Sequence, residues 1–599
     1  MNRFWLNIFQ FAIGLLLLFY SVYRADHLSF TYDESSTVME FVGRNYSDIL
    51  TQAPTANNHI LNTILIKFCS SFLPPSELTY RLPNLVAHLL YIGFSILLVS
   101  QFKPPNSFLQ LSGFLILNLN PYLLDFFSLA RGYGLASAFT LGSIVFYVKW
   151  LKSYRYGRLV VSLVFASTAV LCNFSLVNLF LALVALVILE VVVSDASSFK
   201  KTPIIFLVGI VTGLTILLVV RPIAELLNNQ ELFFGGSSGV WSDTITSLIL
   251  RSTGSNLDKL NSLVFAGFAL TSLIVLIGAV AKIRNPKNRF KGVTATLLVL
   301  LLILLSLQLQ NWFFGTKFLF QRTALFLIPI YLVGLVLALQ EIGKRFKRLG
   351  NVAAMSVALM FIVNACMVMN LNRTSDWGHE RNTKTLMLDL ANQETAYESY
   401  FAVKWPYSVT ARFYSHYLEY NWLRIIELNG FENPSLMRRD FDLEWINADS
   451  QPTKAGPHET RMVNNESKLI IYPKRKLESS VVSSLWSESR YSGSDSFIQL
   501  REQNSSSLVK DSVLNISVQL KVKSEISLKP SLLHLVLANE NGAVQDVKCS
   551  KKASDGWYSM SLTYRDKWNP DDRANIYVWN VKQLQIELKD CVIHQYLYK

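Results

Sequence analysis

The sequence predicts a polytopic α-helical membrane domain of about eleven transmembrane helices, then an extracytoplasmic α/β module, then a C-terminal β-sandwich of jelly-roll type. Three observations carry this expectation. Of the 599 residues 51% are apolar and only 16% charged, with a positive mean hydropathy, which is the balance of a membrane protein with a soluble part attached. Apolar segments long enough to cross a hydrocarbon core of roughly 30 Å, at about 20 residues per helix, recur as far as Leu371 and then stop. From about Ser483 onward apolar and polar residues alternate with a period of two. The expected boundaries are 1–371, 372–480 and 481–599.

The eleven spans run, in order, Phe4 to Tyr23, Leu78 to Val99, Phe108 to Leu123, Gly132 to Trp150, Leu159 to Asn173, Val177 to Val193, Ile204 to Val220, Leu263 to Ala281, Val293 to Leu309, Thr323 to Leu339 and Val352 to Met369. No small-x-small cleavage site follows the first, which continues into Arg24-Ala25-Asp26-His27, so it is expected to remain as an anchor. Orientation follows from the basic residues, which concentrate at Arg3 and in alternate connections: Lys103, Lys149 to Arg158, Lys200-Lys201, Lys282 to Lys291 and Lys344 to Arg348. Such short basic loops stay cytoplasmic. The N-terminus is then inside, while the first long loop and everything after Leu371 are outside.

Basic and acidic residues nearly balance in the tail, so almost all of the +14 net charge belongs to the membrane part. The charge is topological, which argues against nucleic-acid binding. Five cysteines are too few for a disulfide framework. Cys69, Cys172 and Cys366 lie in or beside apolar spans, whereas Cys549 and Cys591 share the tail and could pair in an oxidising compartment.

In the tail, a strand at Ser399 to Val403, an amphipathic helix at Val409 to Leu418 and strands at Leu423 to Leu428 and Lys468 to Tyr472 read as a small α/β module, with Ser450 to Ser467 a polar loop. Six strands follow: Ser512 to Val522, Leu533 to Ala538, Trp557 to Tyr564, Asn575 to Trp579, Leu584 to Leu588 and Val592 to Tyr598. Turn signals such as Asn569-Pro570-Asp571-Asp572 separate them.

Chemistry is suggested by the outer connections. The first, from Arg24 to about Glu77, is longer than a link requires. It carries the adjacent acids Asp33-Glu34, then Asn57-Asn58-His59, and ends at Glu77-Leu78-Thr79-Tyr80-Arg81-Leu82-Pro83. A second carries Asp125 and Ala130-Arg131-Gly132-Tyr133; a third carries Phe233-Phe234-Gly235-Gly236-Ser237-Ser238-Gly239, a candidate lid; a fourth carries Lys317, Gln321 and Arg322. Ionisable groups at membrane depth are costly and usually functional. Carboxylates and guanidinium groups converging on one face fit a single task, in which cations hold the phosphate of a lipid carrier while a carboxylate acts on an acceptor at the water boundary.

The order of first helix, acidic pair, long loop with a central His, and Glu-x-x-x-Arg-Leu-Pro entering the second span resembles the GT-C glycosyltransferases that use polyprenyl-phosphate sugars. The protein O-mannosyltransferase and aminoarabinose-transferase group is the nearest in pattern, and Ala130-Arg131-Gly132-Tyr133 resembles its Ala-Arg-aromatic turn. The likeness covers about residues 1–370. The chain departs from the pattern at His59-Ile60-Leu61, where His-Pro-Pro is common, and at Arg322-Thr323, where Arg-Tyr is common.

The resemblance implies an integral membrane glycosyltransferase, multi-pass in a bacterial inner membrane, with a polyprenyl-phosphate-linked sugar as donor and a lipid, glycan or protein as acceptor. Asp33 would be the catalytic base and Glu34 would orient it; Arg81, Arg131, Lys317 and Arg322 would hold the donor phosphate; Asn58, His59, Asp125 and Tyr133 would meet the acceptor. Each has a plainer reading: a helix-capping turn for the acids, snorkelling at the interface for the cations, a satisfied hydrogen-bonding histidine for His59, and interface residues for Asp125 and Tyr133. No cofactor and no metal are expected; Asp33 and Glu34 with Asn and His nearby could hold Mg²⁺ or Mn²⁺, but no Asp-x-Asp stands in the outer loops. The rival reading is a transporter or flippase of lipid-linked sugars or polysaccharide, for which internal repeats and mid-span charges would be the signs.

Overall fold

The computed structural model describes residues 3–598 apart from 52–54, 102–106, 194–200, 230, 232–233, 255–291, 392–398, 405, 421, 429–441, 448–450, 452–456, 465–466, 473–476, 485–490, 505–512, 525–532, 540–541, 549–550, 553–556, 568–572 and 581–582. The chain forms two compact units, Met1–Lys384 and Thr385–Lys599.

The first unit is helical. Its helices are α1 (Arg3–His27), α2 (Tyr32–Thr37), α3 (Tyr46–Thr51), α4 (Ile60–Ser70), α5 (Glu77–Gln101), α6 (Ser107–Asn118), α7 (Pro121–Phe127), α8 (Gly132–Ser153), α9 (Tyr156–Cys172), α10 (Val177–Val193), α11 (Lys201–Asn228), α12 (Thr246–Thr253), α13 (Gly292–Phe314), α14 (Leu327–Arg345) and α15 (Lys347–Val368). Among the described residues eight helices are long and apolar enough to cross a membrane, namely α1, α5, α8, α10 together with the 3-10 turn before it (Phe174–Val193), α11, α13, α14 and α15. The protein is therefore a multi-pass membrane protein. Two expected spans, near residues 108 and 159, correspond to the shorter apolar helices α6 and α9. The expected span Leu263 to Ala281 lies outside the described residues.

Without a hydrophobic drive between helices in lipid, close packing and polar contacts hold such a bundle together. One continuous buried cluster runs from Ala87 on α5 through α8, α9, α10 and α14. At the α14–α15 hairpin a side chain on Gly350 would run into the backbone of Gly343, so only glycine permits that approach.

After α15 the chain does not leave the membrane unit at once. Arg24, at the end of α1, pairs with Asp125 on α7 and donates to the carbonyl oxygens of Asn370 and Arg373. Asp125 also accepts from the Ser375 amide at 2.8 Å, and Arg251 on α12 donates to the Ser375 carbonyl at 2.7 Å. Residues 370–377 are thus tied down from α1, α7 and α12.

The second unit holds three sheets. After α16 (Thr383–Leu390), β1 (Ser399–Lys404), α17 (Tyr407–Tyr417) and β2 (Leu423–Leu428) form a parallel crossover, continued by β3 (Leu443–Asn447), β4 (Glu459–Asn464) and β5 (Ser467–Ile471) in the order β2-β1-β3-β5-β4. The expectation of a loop over 450–467 is corrected by β4. Its side chains from Glu459 to Met462 are exposed on an edge strand, so no apolar alternation marks it in the sequence.

Then come β6 (Leu477–Ser484), β7 (Tyr491–Gly493), β8 (Phe497–Asn504), β9 (Val513–Ser524), β10 (Leu533–Asn539), β11 (Gly542–Lys548), β12 (Lys551–Lys552), β13 (Tyr558–Lys567), β14 (Arg573–Asn580) and β15 (Ile586–Tyr598). They form sheets of order β11-β10-β14-β8 and β12-β13-β9-β15-β6, which share one apolar core including Ile516, Leu535, Ile576 and Ile593. The two strands expected between Leu584 and Tyr598 are one, β15, interrupted by a register shift between Lys589 and Val592, where Asp590 adopts a left-handed backbone. Cys591 is buried in this core, and Cys549 lies outside the described residues.

Candidate active site

Asp33 and Glu34 stand in the first turn of α2, which Thr31 caps. The Thr31 hydroxyl accepts from the Glu34 amide and the Glu34 carboxylate accepts from the Thr31 amide at 2.9 Å, a capping box. A π-helical turn, Val38–Val42, follows directly. Such turns occur often at functional sites.

The two acids differ sharply. Glu34 is fully buried; its oxygens take two hydrogen bonds from Arg81 at 2.8 Å and one from the Ala130 amide at 2.6 Å, besides that from Thr31. Burial acts to raise its pKa, but the Arg81 charge and these hydrogen bonds outweigh it and hold the carboxyl below its ordinary value. A carboxylate with every lone-pair direction engaged orients a loop but cannot exchange protons with a substrate. Arg81 is equally committed: beyond Glu34 it donates to the carbonyl oxygens of Ala25 at 2.9 Å, Leu28 at 2.8 Å and Ser29 at 2.9 Å, which completes all five of its N–H donors. Arg81, expected to hold a phosphate, and Glu34, expected in catalysis, thus spend these hydrogen-bonding groups on each other and on the loop.

The Asp33 carboxylate remains approachable, its side chain 12% exposed. One oxygen lies 3.4 Å from Arg131 and 3.6 Å from Arg322. Arg131, buried at the start of α8, also donates to the Asp33 carbonyl at 3.2 Å, the Thr37 hydroxyl at 2.9 Å and the Asn57 carbonyl at 3.0 Å. Asn57 in turn donates to the Asp33 carbonyl at 3.1 Å. Arg131 therefore grips the Asp33 turn from behind, with one terminal nitrogen and Nε outside that grip; Nε is buried and without a hydrogen-bond partner among the described residues.

Arg322 is held differently. Its guanidinium lies 4.4 Å from the Phe234 ring and 4.9 Å from the Trp377 ring, while its terminal nitrogens reach Asp33 at 3.6 Å and Asp376 at 3.7 Å, longer than hydrogen bonds. The preceding residue, Gln321, sits in the left-handed region at φ 50°, unusual for a side-chain-bearing residue and a sign of local strain. Its amide is fixed by the Ser247 hydroxyl at 2.9 Å. The glycine-rich segment expected as a lid is pinned as well. Gly236 and Phe318 exchange backbone hydrogen bonds at 2.9 Å, and Asp243 accepts from the Ser238 and Gly239 amides. Phe233 lies outside the described residues.

Asp376 was invisible to sequence reasoning, because Asp376 and Trp377 fall in what reads as a polar link after the last membrane helix. The Asp376 side chain is 1% exposed, 3.1 Å from Arg251, and accepts from the Tyr122 hydroxyl at 3.1 Å. Burial pushes its pKa above the ordinary value, with Arg322 and Arg251 pulling the other way.

The remaining expected residues are dispersed around this centre. Tyr133 is nearly buried, its ring 4.7 Å from His59 and 5.0 Å from Phe126. His59 is linked through Nδ1 to the Cys172 carbonyl at 2.7 Å, and its Nε2 is buried without a hydrogen bond. Burial and the Arg131 charge hold its pKa well below the ordinary imidazole value, only partly opposed by that carbonyl. The His59 ring thus packs edge-on against Tyr133. Asn58 bonds Ile49 and Thr63 within the loop. Asp125, expected to meet the acceptor, belongs to the Arg24–Ser375 fastening already described. Lys317 is exposed beside Gly235 and has no ion pair among the described residues. Among the described residues no three His, Cys, Asp or Glu side chains are grouped so as to hold a metal ion.

Around Asp33 the charges do not cancel. Arg131, Arg322 and Arg251 face Asp33 and Asp376, so among these described residues three guanidinium groups meet two carboxylates. The neighbouring Arg81–Glu34 and Arg24–Asp125 pairs are each neutral.

No protein-family model and no curated protein sequence matches the chain. Among solved structures it is similar to ArnT from Cupriavidus metallidurans bound to undecaprenyl phosphate, at 13% identity and a TM-score of 0.46, over 78% of this chain and 98% of that one. The apo state of the same protein gives 13% identity and a TM-score of 0.45, over 77% and 97%. The arabinosyltransferase EmbB from Mycobacterium smegmatis gives 12% identity and a TM-score of 0.36, over 98% of this chain and 64% of that one.

Proposed function

We propose that the protein is an integral membrane glycosyltransferase that moves a sugar from a polyprenyl-phosphate donor to a lipid, glycan or protein acceptor on the extracytoplasmic face. The observation that carries the proposal is the pairing, in one partly open site, of an approachable carboxylate with a guanidinium that has hydrogen-bond capacity left over. Asp33 has no hydrogen bond to its carboxylate among the described residues, and Arg322 makes only long contacts to Asp33 and Asp376. The single uncancelled positive charge is what a phosphodiester monoanion neutralises.

In the reaction, an acceptor hydroxyl or amine attacks the anomeric carbon and yields its proton to Asp33. The bond from that carbon to the phosphate oxygen breaks, its electron pair leaving on the lipid phosphate, where Arg322 stabilises the growing charge. The transition state has oxocarbenium character, as in glycoside hydrolysis. Arg131 keeps the Asp33 turn in place, and Lys317, exposed on the neighbouring connection, is available to a phosphate arriving from that side. Tyr133, its ring 6.0 Å from the Arg131 guanidinium, is the aromatic residue assigned to the acceptor. No step is assigned to a metal or cofactor, and the partners implied are the lipid-linked sugar, its acceptor and the surrounding lipids.

The test supplies a radiolabelled polyprenyl-phosphate sugar to purified protein and to Asp33→Asn. Wild type is expected to turn the donor over, and the variant to lose roughly 10²–10⁴-fold in kcat while still binding it. Equal turnover by the variant would remove Asp33 from the chemistry, and a wild type that neither binds nor consumes any such donor would end the transferase reading.

A further inference from the structure

For Asp33 to act as a base, Arg322 must let go of it as the donor phosphate arrives, yet must not swing out of the site. The structure contains a second anchor suited to that moment. Asp376 contacts Arg322 at 3.7 Å through the terminal nitrogen that does not face Asp33, and is itself fixed by Arg251 at 3.1 Å and by the Tyr122 hydroxyl at 3.1 Å. Trp377, the next residue, and Phe234 both pack against the Arg322 guanidinium. These two ring contacts restrain the group from leaving the site.

We infer that Asp376 is a positioning residue that retains Arg322 when Asp33 releases it, handing the guanidinium from the base to the donor phosphate. This rests on reading Arg322 as the phosphate ligand. Asp376 stays put because its own contacts come from α7 and α12, and the 370–377 segment is fastened by Arg24 and Asp125. Without its charge, Arg322 would keep Asp33 as its one carboxylate among the described residues, and the incoming phosphate would have to compete with the base for it.

The experiment measures kcat and donor KM with a radiolabelled polyprenyl-phosphate sugar for full-length wild type, Asp376→Asn, Asp376→Glu, Arg322→Gln and the Arg322→Gln/Asp376→Asn double variant. Asp376→Asn is expected to raise donor KM about tenfold with kcat within about threefold, Asp376→Glu to recover most of that, and the double variant to be no worse than Arg322→Gln alone. If Asp376→Asn adds its full factor on top of Arg322→Gln, or lowers kcat with KM unchanged, the inference is overturned. Failure of the underlying reading looks different, because Arg322→Gln would then leave donor KM at the wild-type value. Should Asp376→Asn not fold, Tyr122→Phe removes the hydroxyl that fixes Asp376 without altering charge. A KM rise of about threefold that vanishes in the Arg322→Gln background supports the inference, and no rise refutes it.

Discussion

Arg81 and Arg322 carry the same functional group at the same end of the membrane unit, and replacing each with Lys should separate their roles. At Arg81 the substitution keeps one charge but replaces a planar fork by three donors on a flexible stem. Of the five acceptors now served, two Glu34 oxygens and the carbonyls of Ala25, Leu28 and Ser29, at least two lose their partner in a region without solvent. At about 1–3 kcal/mol for each buried group left unsatisfied, Arg81→Lys should cost about 2–6 kcal/mol of stability. Arg81→Met is harsher, because it strands the Glu34 carboxylate, a loss of about 3–5 kcal/mol for the broken pair alone, part of which Glu34→Gln should restore in the double variant. The stabilisation from Glu34 also has a pH signature. A carboxyl held below its ordinary value stabilises the fold above about pH 4.5, and that contribution fades as the pH falls through the folded pKa. The assay is thermal unfolding of the purified protein beside donor KM. Arg81→Lys should unfold many degrees early, whereas Arg322→Lys should unfold near wild type and fail in donor binding. An Arg81→Lys protein with wild-type thermal stability and a raised donor KM would refute the reasoning.

Two further outcomes are expected. Gly132→Ala places a methyl group against the Cys172 carbonyl and the His59 side chain, where α8 begins beside the end of α9, so thermal stability should drop by about 1–3 kcal/mol and donor turnover with it. His59, held neutral in the fold, contributes stability that is present above about pH 6.5 and lost as the pH falls, since the unfolded chain takes up a proton that the native chain refuses. Thermal scans between pH 7.5 and 5.5 should therefore slope less steeply for His59→Asn than for wild type, and identical slopes would exclude this contribution.

The membrane helices were legible because run length and apolarity are local properties. The ten expected spans that fall among the described residues each find a helix at the predicted place, with only α6 and α9 shorter than a full crossing. Period-two alternation marked β9, β10, β13, β14 and β15 of the second unit, but β6, β7, β8, β11 and β12 fell outside the expected strands, the edge strand β4 of the preceding sheet escaped, and the bulge at Asp590 and Cys591 made one strand look like two. The site was harder for a physical reason. Sequence shows that an arginine lies near a membrane boundary but not how many of its donors are already engaged, so Arg81 and Arg322 looked alike. The capping reading of the acidic pair proved apt for Glu34, which both closes the helix start and clamps Arg81, while its neighbour Asp33 stays approachable. Asp376 and Trp377 gave no signal, because their meaning comes from tertiary contacts with Tyr122, Arg251 and Arg322, each far away in the chain.

The fastening of residues 370–377 bears on biogenesis. The segment that brings Asp376 to Arg322 emerges only after every membrane helix has been synthesised, and it is held by Arg24 from the first of them. A ribosome-bound or truncated chain ending at α15 would carry Asp33, Arg131 and Arg322 yet lack the anchor that arranges them. Completion of the membrane unit and assembly of the charged centre are thus a single event.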